Sequence, residues 1–210
     1  MATWKDIQNR IDPLNLNKGK VIYQDHDPYQ MPYIYKQDHN DIQLQSFNYK
    51  GDITKYAHFF LDDYQFERVW NTPKKYLTRA FRYKGLLTPD FSLYTDYPIA
   101  IQIWNTYRNR WCGQYWQMKG CKVIPTISWS TKESYDFCFN GIEKGSKVAI
   151  SNIGVINNKE NLKLFYQGYY EMIKQIEPEE IILYGYKPME KLNVTFIENR
   201  RFKDGRSREQ

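Results

Sequence analysis

At 210 residues the chain has the length of one large domain, or one domain with a small appendage, and enough to bury a sizeable core. Its mean hydropathy of −0.76, with no apolar run near the roughly 18–20 residues that cross a bilayer, excludes a protein built from spanning helices. Thirty Lys and Arg against 24 Asp and Glu leave a net charge of +6, a mild excess that permits nucleic-acid or phosphate binding without demanding it.

Residues 1–56 carry Pro13, Pro28 and Pro32 and no helical period. They are expected to form an irregular N-terminal cap, with short strands at Tyr33–Lys36 and Gln43–Tyr49 making a hairpin. The opening MATWKDIQNR has no apolar signal core, which predicts a cytoplasmic protein without a membrane partner.

Five short apolar runs then follow, starting at residues 57, 85, 121, 147 and 180. They are Ala57–Tyr64, Gly85–Ser92, Cys121–Ser130, Lys147–Gly154 and Glu180–Tyr186, and each ends in small polar or acidic residues. The spacing fits a strand plus a crossover helix. Between them, Pro73 marks a helix start near Thr72–Tyr83. Asp96 and Pro98 mark another helix that runs to about Lys119 and stops at Gly120, with Ala100, Trp104, Tyr107, Trp111 and Tyr115 at helical spacing. Ser130–Phe139 reads as a short helix. Lys159–Gln175 is the clearest amphipathic helix, with Leu162, Phe165, Tyr169 and Met172 on one side. Lys191–Ile197 supplies a last strand.

The expected fold is therefore α/β. It has a mostly parallel sheet of about five or six strands with flanking helices, either an open sheet or a partial β/α barrel. The expected organisation is a cap over 1–56, a core over 57–198, and a basic tail over 199–210. In the tail, Arg200, Arg201, Lys203, Arg206 and Arg208 face only Asp204 and Glu209, which predicts disorder and a capacity to grip phosphate.

In a parallel sheet all the polar tips lie along one edge, where α/β proteins bind ligands. The first tip offers Asp62 and Asp63, and the second Asp90. Converging carboxylates hold Mg²⁺ or Mn²⁺, or act as acid and base, so all three are candidate catalytic residues and Asp62 and Asp90 candidate metal ligands. Carboxylates after strands also cap helices, which explains the same residues structurally. Arg108 and Arg110, on the aromatic helix, are candidates for phosphate or for buried ion pairs. Ser128, Trp129, Asn152 and Tyr184 offer hydroxyl, amide and ring groups for a polar ligand.

Three cysteines, Cys112, Cys121 and Cys138, without CxxC spacing, exclude a disulfide framework and a cysteine-rich zinc site. They are expected to be reduced and mostly buried. His26 and His39 fall in the cap. His58 is placed at the start of the first strand, at the end away from Asp62. GxGxxG, GxSxG, HExxH and Walker spacings are absent.

The stretches FFLDDYQFERVW, LLTPDFSLYTDYPIAIQIWNTYRNRWCGQYWQ, VIPTISWS, FCFNGI and VAISNIGV together resemble an uncharacterised phage and mobile-element family, domain of unknown function 4417, over about residues 57–186. The resemblance implies a bacterial virus or integrated element as the context, and so the host cell as the location. It brings no catalytic assignment. The expected function is binding of a phosphate-bearing ligand, a nucleotide or nucleic acid, at the C-terminal sheet edge, with metal-dependent hydrolysis as an extension. The alternative is a non-catalytic protein that contacts host proteins, including host defence, through exposed aromatics. Binding of nucleic acid through the basic tail is a third reading.

Overall fold

The computed structural model describes residues 22–156 and 158–199. The basic tail beyond Asn199 and the first 21 residues lie outside them.

The described residues form seven strands: β1 Leu44–Ser46, β2 Tyr56–His58, β3 Gly85–Leu87, β4 Val123–Ile124, β5 Lys147–Ser151, β6 Glu180–Gly185 and β7 Thr195–Glu198. Four helices accompany them: α1 Glu67–Asn71, α2 Pro73–Ala80, α3 Ile99–Met118 and α4 Lys159–Ile176. All the strand pairs are parallel, in the order β1-β2-β3-β4 in one sheet and β5-β6-β7 in the other. A parallel bridge between Thr126 and Ala149 joins the two. Ile127 N donates to Ala149 O at 2.8 Å there, and Ala149 N to Pro125 O at 2.9 Å. The result is one parallel surface in strictly sequential order.

Sequential parallel order with right-handed crossovers puts every helix on the same side. The free side must then close on itself, and it does. The Tyr184 ring on β6 sits 4.6 Å from His58 on β2 and 5.0 Å from Phe60 just after it. In a flat sheet those strands would stand roughly 19 Å apart, four steps of about 4.8 Å. The sheet is curled into a partial β/α barrel with β1 and β7 as its edges. Tyr56, Leu87, Ile124, Ala149, Ile182 and Tyr184 fill its interior, with Leu44 and Ile197 from the edge strands. Two further apolar clusters lie between the sheet and the helices. Gly85 is required here, because a Cβ at that position would overlap the Tyr56 ring that covers it.

The local sequence sets the elements. β5 and β6 are buried through their centres, so they read as continuous apolar runs. Pro73 occupies the first turn of α2. In α4 the Asn158 side chain accepts from Glu160 N at 2.8 Å and Asn161 N at 3.1 Å, and Glu177 in the left-handed region ends the helix before Pro178. Gly120, at φ +86°, ends α3 as expected.

Some elements differ from expectation. Leu44–Ser46, within the expected hairpin, instead pairs in parallel with β2. Ile34 makes an isolated parallel bridge with Ile142. Asp96 does not cap α3; Pro98 holds that position without a side-chain cap. Ser130–Phe139 gives a 3-10 turn at Lys132–Asp136, a tighter form of the expected helix. β2 is short, so His58 ends it rather than beginning it. The three cysteines are free and buried, as expected.

Candidate ligand cavity at the C-terminal mouth

A cavity of about 550 Å³ opens at the C-terminal ends of the strands. Phe60, Leu61 and Asp62 line it after β2, and Asp90, Ser92, Leu93, Tyr94 and Thr95 after β3. Ile127–Ser130 follow β4, Ser151 ends β5 with Ile153 just after it, and Asn199 follows β7. The first turns of α4 close the wall with Asn161, Leu164 and Phe165. Aromatic and aliphatic walls with a few hydroxyl, amide and carboxyl groups are the composition of a small-molecule site. The charged side chains among these lining residues are carboxylates, Asp62 and Asp90.

Asp90 is the group with the most perturbed surroundings. It is half-buried, and burial of the carboxyl pushes its pKa up to about 7, with the nearby Asp63 charge adding to the rise. The Ser128 hydroxyl donates to Asp90 Oδ1 and works against the rise. A carboxyl poised near neutrality can give or take a proton.

Asp62 and Asp63 part company, because Asp62 is extended in the loop after β2 and Asp63 opens a 3-10 turn. Asp62 is exposed, lines the cavity, and accepts from Gln65 Nε2 at 3.0 Å. Asp63 instead accepts from Ser92 N at 3.1 Å and Ser92 Oγ at 2.9 Å, tying the β2 loop to the β3 loop. Among the described residues, no group of three or more His, Cys, Asp or Glu stands together as a metal cage. Asp62 and Asp90 are the carboxylates on the cavity wall.

The two arginines lie elsewhere. Arg108 donates to Glu67 Oε1 at 2.6 Å and to Asn105 Oδ1 at 2.6 Å, with its guanidinium 3.9 Å from the Phe91 ring centroid. Arg110 is 2% exposed. It donates to Asn140 O at 2.9 Å, Asn109 Oδ1 at 2.6 Å, Thr126 O at 3.2 Å and Cys138 O at 2.5 Å. Burial lowers its pKa to about 10, which still leaves it charged at neutral pH. Both geometries are those of structural arginines.

Ser128 and Trp129 both line the cavity. Trp129 is pinned from behind: its Nε1 donates to Leu164 O at 3.2 Å and its ring lies 5.6 Å from Phe165. Gly168 makes room for it, since a Cβ there would overlap the indole. Asn152 clamps the chain after β6, donating to Tyr186 O at 2.8 Å and accepting from Tyr186 N at 2.8 Å. Tyr184 points into the barrel, where its hydroxyl donates to Asn199 Oδ1 at 3.2 Å. Neither lines the cavity, but Tyr184 touches a residue that does.

Ser92, Ser130 and Ser151 fall on the polar tips that the sequence marked, whereas Asn161 and Asn199 were missed in the lining. Sequence reasoning also missed what holds the tips. Beside its buried aromatics, α3 buries a polar side: Gln102, Asn105, Thr106, Asn109, Arg110 and Gln114 are all buried. Gln102 accepts from Ser130 Oγ at 2.5 Å, and Asn105 donates to Ser92 O at 2.7 Å. Asn109 donates to Pro89 O at 2.7 Å and to Thr126 O at 3.2 Å. These amides bind the strand tips after β3 and β4 in place. The signal was present in the sequence, as amides at 102, 105 and 109 recur at helical spacing.

The histidines stay out of the lining. His39 is buried against Tyr56, with Nδ1 3.2 Å from the Tyr56 hydroxyl, and burial lowers its pKa to about 4. His58 is buried, and Phe60 N donates to its Nδ1 at 3.3 Å.

Comparison with known proteins places the chain in a family. The family model described as "Domain of unknown function (DUF4417)" matches residues 23–203. That span extends well beyond the stretch 57–186 that carries the resemblance in sequence. The chain is 40% identical over 190 residues to the "Gene 1 protein" of Mycobacterium phage L5, covering 88% of this chain and 82% of that one. It is 38% identical over 190 residues to the "Gene 1 protein" of Mycobacterium phage D29, covering 88% and 69%. No solved structure matches. A family match across most of the chain and phage relatives of this similarity show that the protein belongs to the family Domain of unknown function (DUF4417), which has phage members.

Proposed function

We propose that the mouth of the partial barrel binds a small ring-bearing polar ligand, a nucleoside or nucleotide by size and lining, and that Asp90 gives up its proton as the ligand binds. The observation that carries this reading is Asp90 on the cavity wall, bonded to Ser128 and poised near neutral pH. The cavity volume lies within the range of about 300–1,000 Å³ typical of small-molecule sites. Phe60, Trp129 and Phe165 supply ring surfaces, and the serines and asparagines supply polar contacts.

A phosphate on the ligand would not be met by Arg108 or Arg110, whose guanidinium groups are committed elsewhere. It would be met through Mg²⁺ or Mn²⁺ on Asp62 and Asp90. Mg²⁺ commonly takes one or two protein carboxylates, with phosphate and water completing its shell. Such an ion would also draw the Asp90 proton off. Hydrolysis of the bound ligand is the reaction this arrangement would support.

The test is thermal denaturation of wild type and Asp90→Ala with a panel of nucleosides and their 5′-monophosphates, each with and without Mn²⁺. A rise of several degrees with one class in the wild type, absent in Asp90→Ala, supports the reading. An equal rise in both proteins refutes the role of Asp90.

One observation favours a second reading, contact with a host protein. Tyr94–Ile101 is exposed at every residue, including Tyr94, Tyr97, Ile99 and Ile101. Contiguous exposed apolar residues mark interaction surfaces. Retention of a stoichiometric host protein by wild type, lost in Tyr97→Ser/Ile101→Ser but kept in Asp90→Ala, would favour it.

A further inference from the structure

We propose that a second surface, on α2 and the loop that precedes β2, binds single-stranded nucleic acid through its phosphates. Residues 67–84 carry Arg68, Lys74, Lys75, Arg79, Arg82 and Lys84 against one acid, Glu67. Glu67 is taken up by Arg108 at 2.6 Å.

Geometry gathers these charges on one side. Lys74, Lys75 and Thr78 are exposed along α2, and Arg82 is exposed just beyond its end. At roughly 100° per residue these positions share a face, opposite the buried Pro73 and Ala80. The loop before β2 is fastened to the same region. Arg79 donates to Tyr49 O at 2.8 Å and lies 4.9 Å from the Phe47 ring centroid. The Tyr83 hydroxyl donates to Tyr49 O at 2.9 Å. Gly51 packs so closely on Arg82 that a Cβ would overlap it. Lys50 and Tyr49 are thereby carried beside the α2 cations.

Among the described residues, Lys50, Lys74, Lys75, Arg79 and Arg82 have no carboxylate at ion-pair distance. Arg79 Nε is buried with no hydrogen-bond partner. Like charges held together without counter-charges repel, and a polyanion relieves that repulsion while releasing its own counterions. Tyr49 and Phe81, 59% and 53% exposed, flank the cations and offer faces on which unpaired bases stack. None of these residues lines the cavity, so the two sites are independent.

The probe is a fluorescein-labelled single strand of about twelve nucleotides, a length within the usual span of such sites, read by anisotropy over a salt series. The variant is Lys74→Glu/Lys75→Glu/Arg82→Glu, with Lys75→Gln/Arg82→Gln as a milder pair if the triple change impairs folding. The triple variant is expected to bind roughly 30-fold or more weakly, and its log–log salt slope to fall by about 2, at an unchanged melting temperature. Tyr49→Ala/Phe81→Ala is expected to weaken the single strand about tenfold and leave a duplex unaffected. Wild-type-like binding by the triple variant overturns the proposal. So does a loss produced only by Arg200→Gln/Arg201→Gln, salt-independent binding, or tighter binding to phosphatidylglycerol vesicles than to the oligonucleotide.

Discussion

The Ser128 hydroxyl donates to Asp90 Oδ1 across the gap between the tips of β3 and β4. The pair is the point at which the barrel's packing meets its cavity. Asp90 pulls proton affinity up through its burial, Ser128 pulls it down, and the balance sits at about 7. Removing the hydroxyl with Ser128→Ala should raise the Asp90 value further, so that the carboxyl stays protonated above neutrality. A carbon-detected NMR titration of labelled aspartate measures this. A value that falls in the variant contradicts the assigned direction.

Asp90 and His39 make opposite contributions to the pH dependence of stability. Asp90 has a raised native value, so between about 4 and 7 the native state holds a proton that the unfolded chain has lost, and stability falls as pH rises. His39 has a lowered native value, so between about 4 and 6.5 the unfolded chain holds the extra proton, and stability rises with pH. The two slopes oppose each other in the wild type. Asp90→Asn should therefore expose a steep loss of stability toward acid, and His39→Gln a loss toward neutral pH. Each is expected to be on the order of 2 kcal/mol across the window, less than the ideal of about 1.4 per pH unit because both groups keep some solvent contact. Urea titrations at pH 4.5, 5.5 and 6.5 test this. Parallel profiles in all three proteins would refute it.

Arg110 should matter to stability and not to ligand affinity. Its guanidinium satisfies carbonyls from the β4 tip and from the segment 138–140. Arg110→Met removes those donors and strands several buried acceptors, at a cost of about 3–5 kcal/mol. Chemical denaturation measures the loss. A near-neutral variant that nonetheless lost ligand would return Arg110 to the site.

Gly168→Ala tests the seat of Trp129. The added methyl would overlap the indole ring, so either the ring or α4 must shift. Overpacking of this kind costs about 1–3 kcal/mol. A change in tryptophan fluorescence together with a lower melting temperature is expected. No change in either would show that the close approach is not maintained in solution.

The fold was legible to the degree that the strands were apolar. Lys147–Ser151 and Glu180–Gly185 are buried and β-branched, and the sequence marked them. Leu44–Ser46 is three residues long and gains its partner only from β2, over a loop that no local pattern specifies. The chain after β2 leaves the sheet early, so Asp62 and Asp63 fall in a loop and a 3-10 turn, not at a strand tip. Periodicity found the aromatic side of α3, Trp104 to Tyr115, because apolar spacing is what it detects. The amide side of the same helix was silent to it, although Gln102, Asn105 and Asn109 are what fix the cavity rim. The arginines left two readings open, phosphate or a buried ion pair, for a related reason. Arg108 and Arg110 lie on the chemistry-rich stretch, yet partners distant in sequence, Glu67 and the carbonyls of Cys138 and Asn140, claim them. Asn199 entered the lining because β7 delivers it there, which no reading of the tail's composition could foresee.

The most direct measurement of the central claim is proton linkage at the cavity. The best-binding 5′-monophosphate, with Mn²⁺, would be titrated calorimetrically into the protein at pH 7 in buffers of different ionisation enthalpy. Asp90, with a value of about 7, holds part of a proton at that pH, so binding should release more proton per site in the wild type than in Asp90→Asn, where the release left is that of the phosphate. Equal proton release by both proteins, or tight binding with none, would contradict the account.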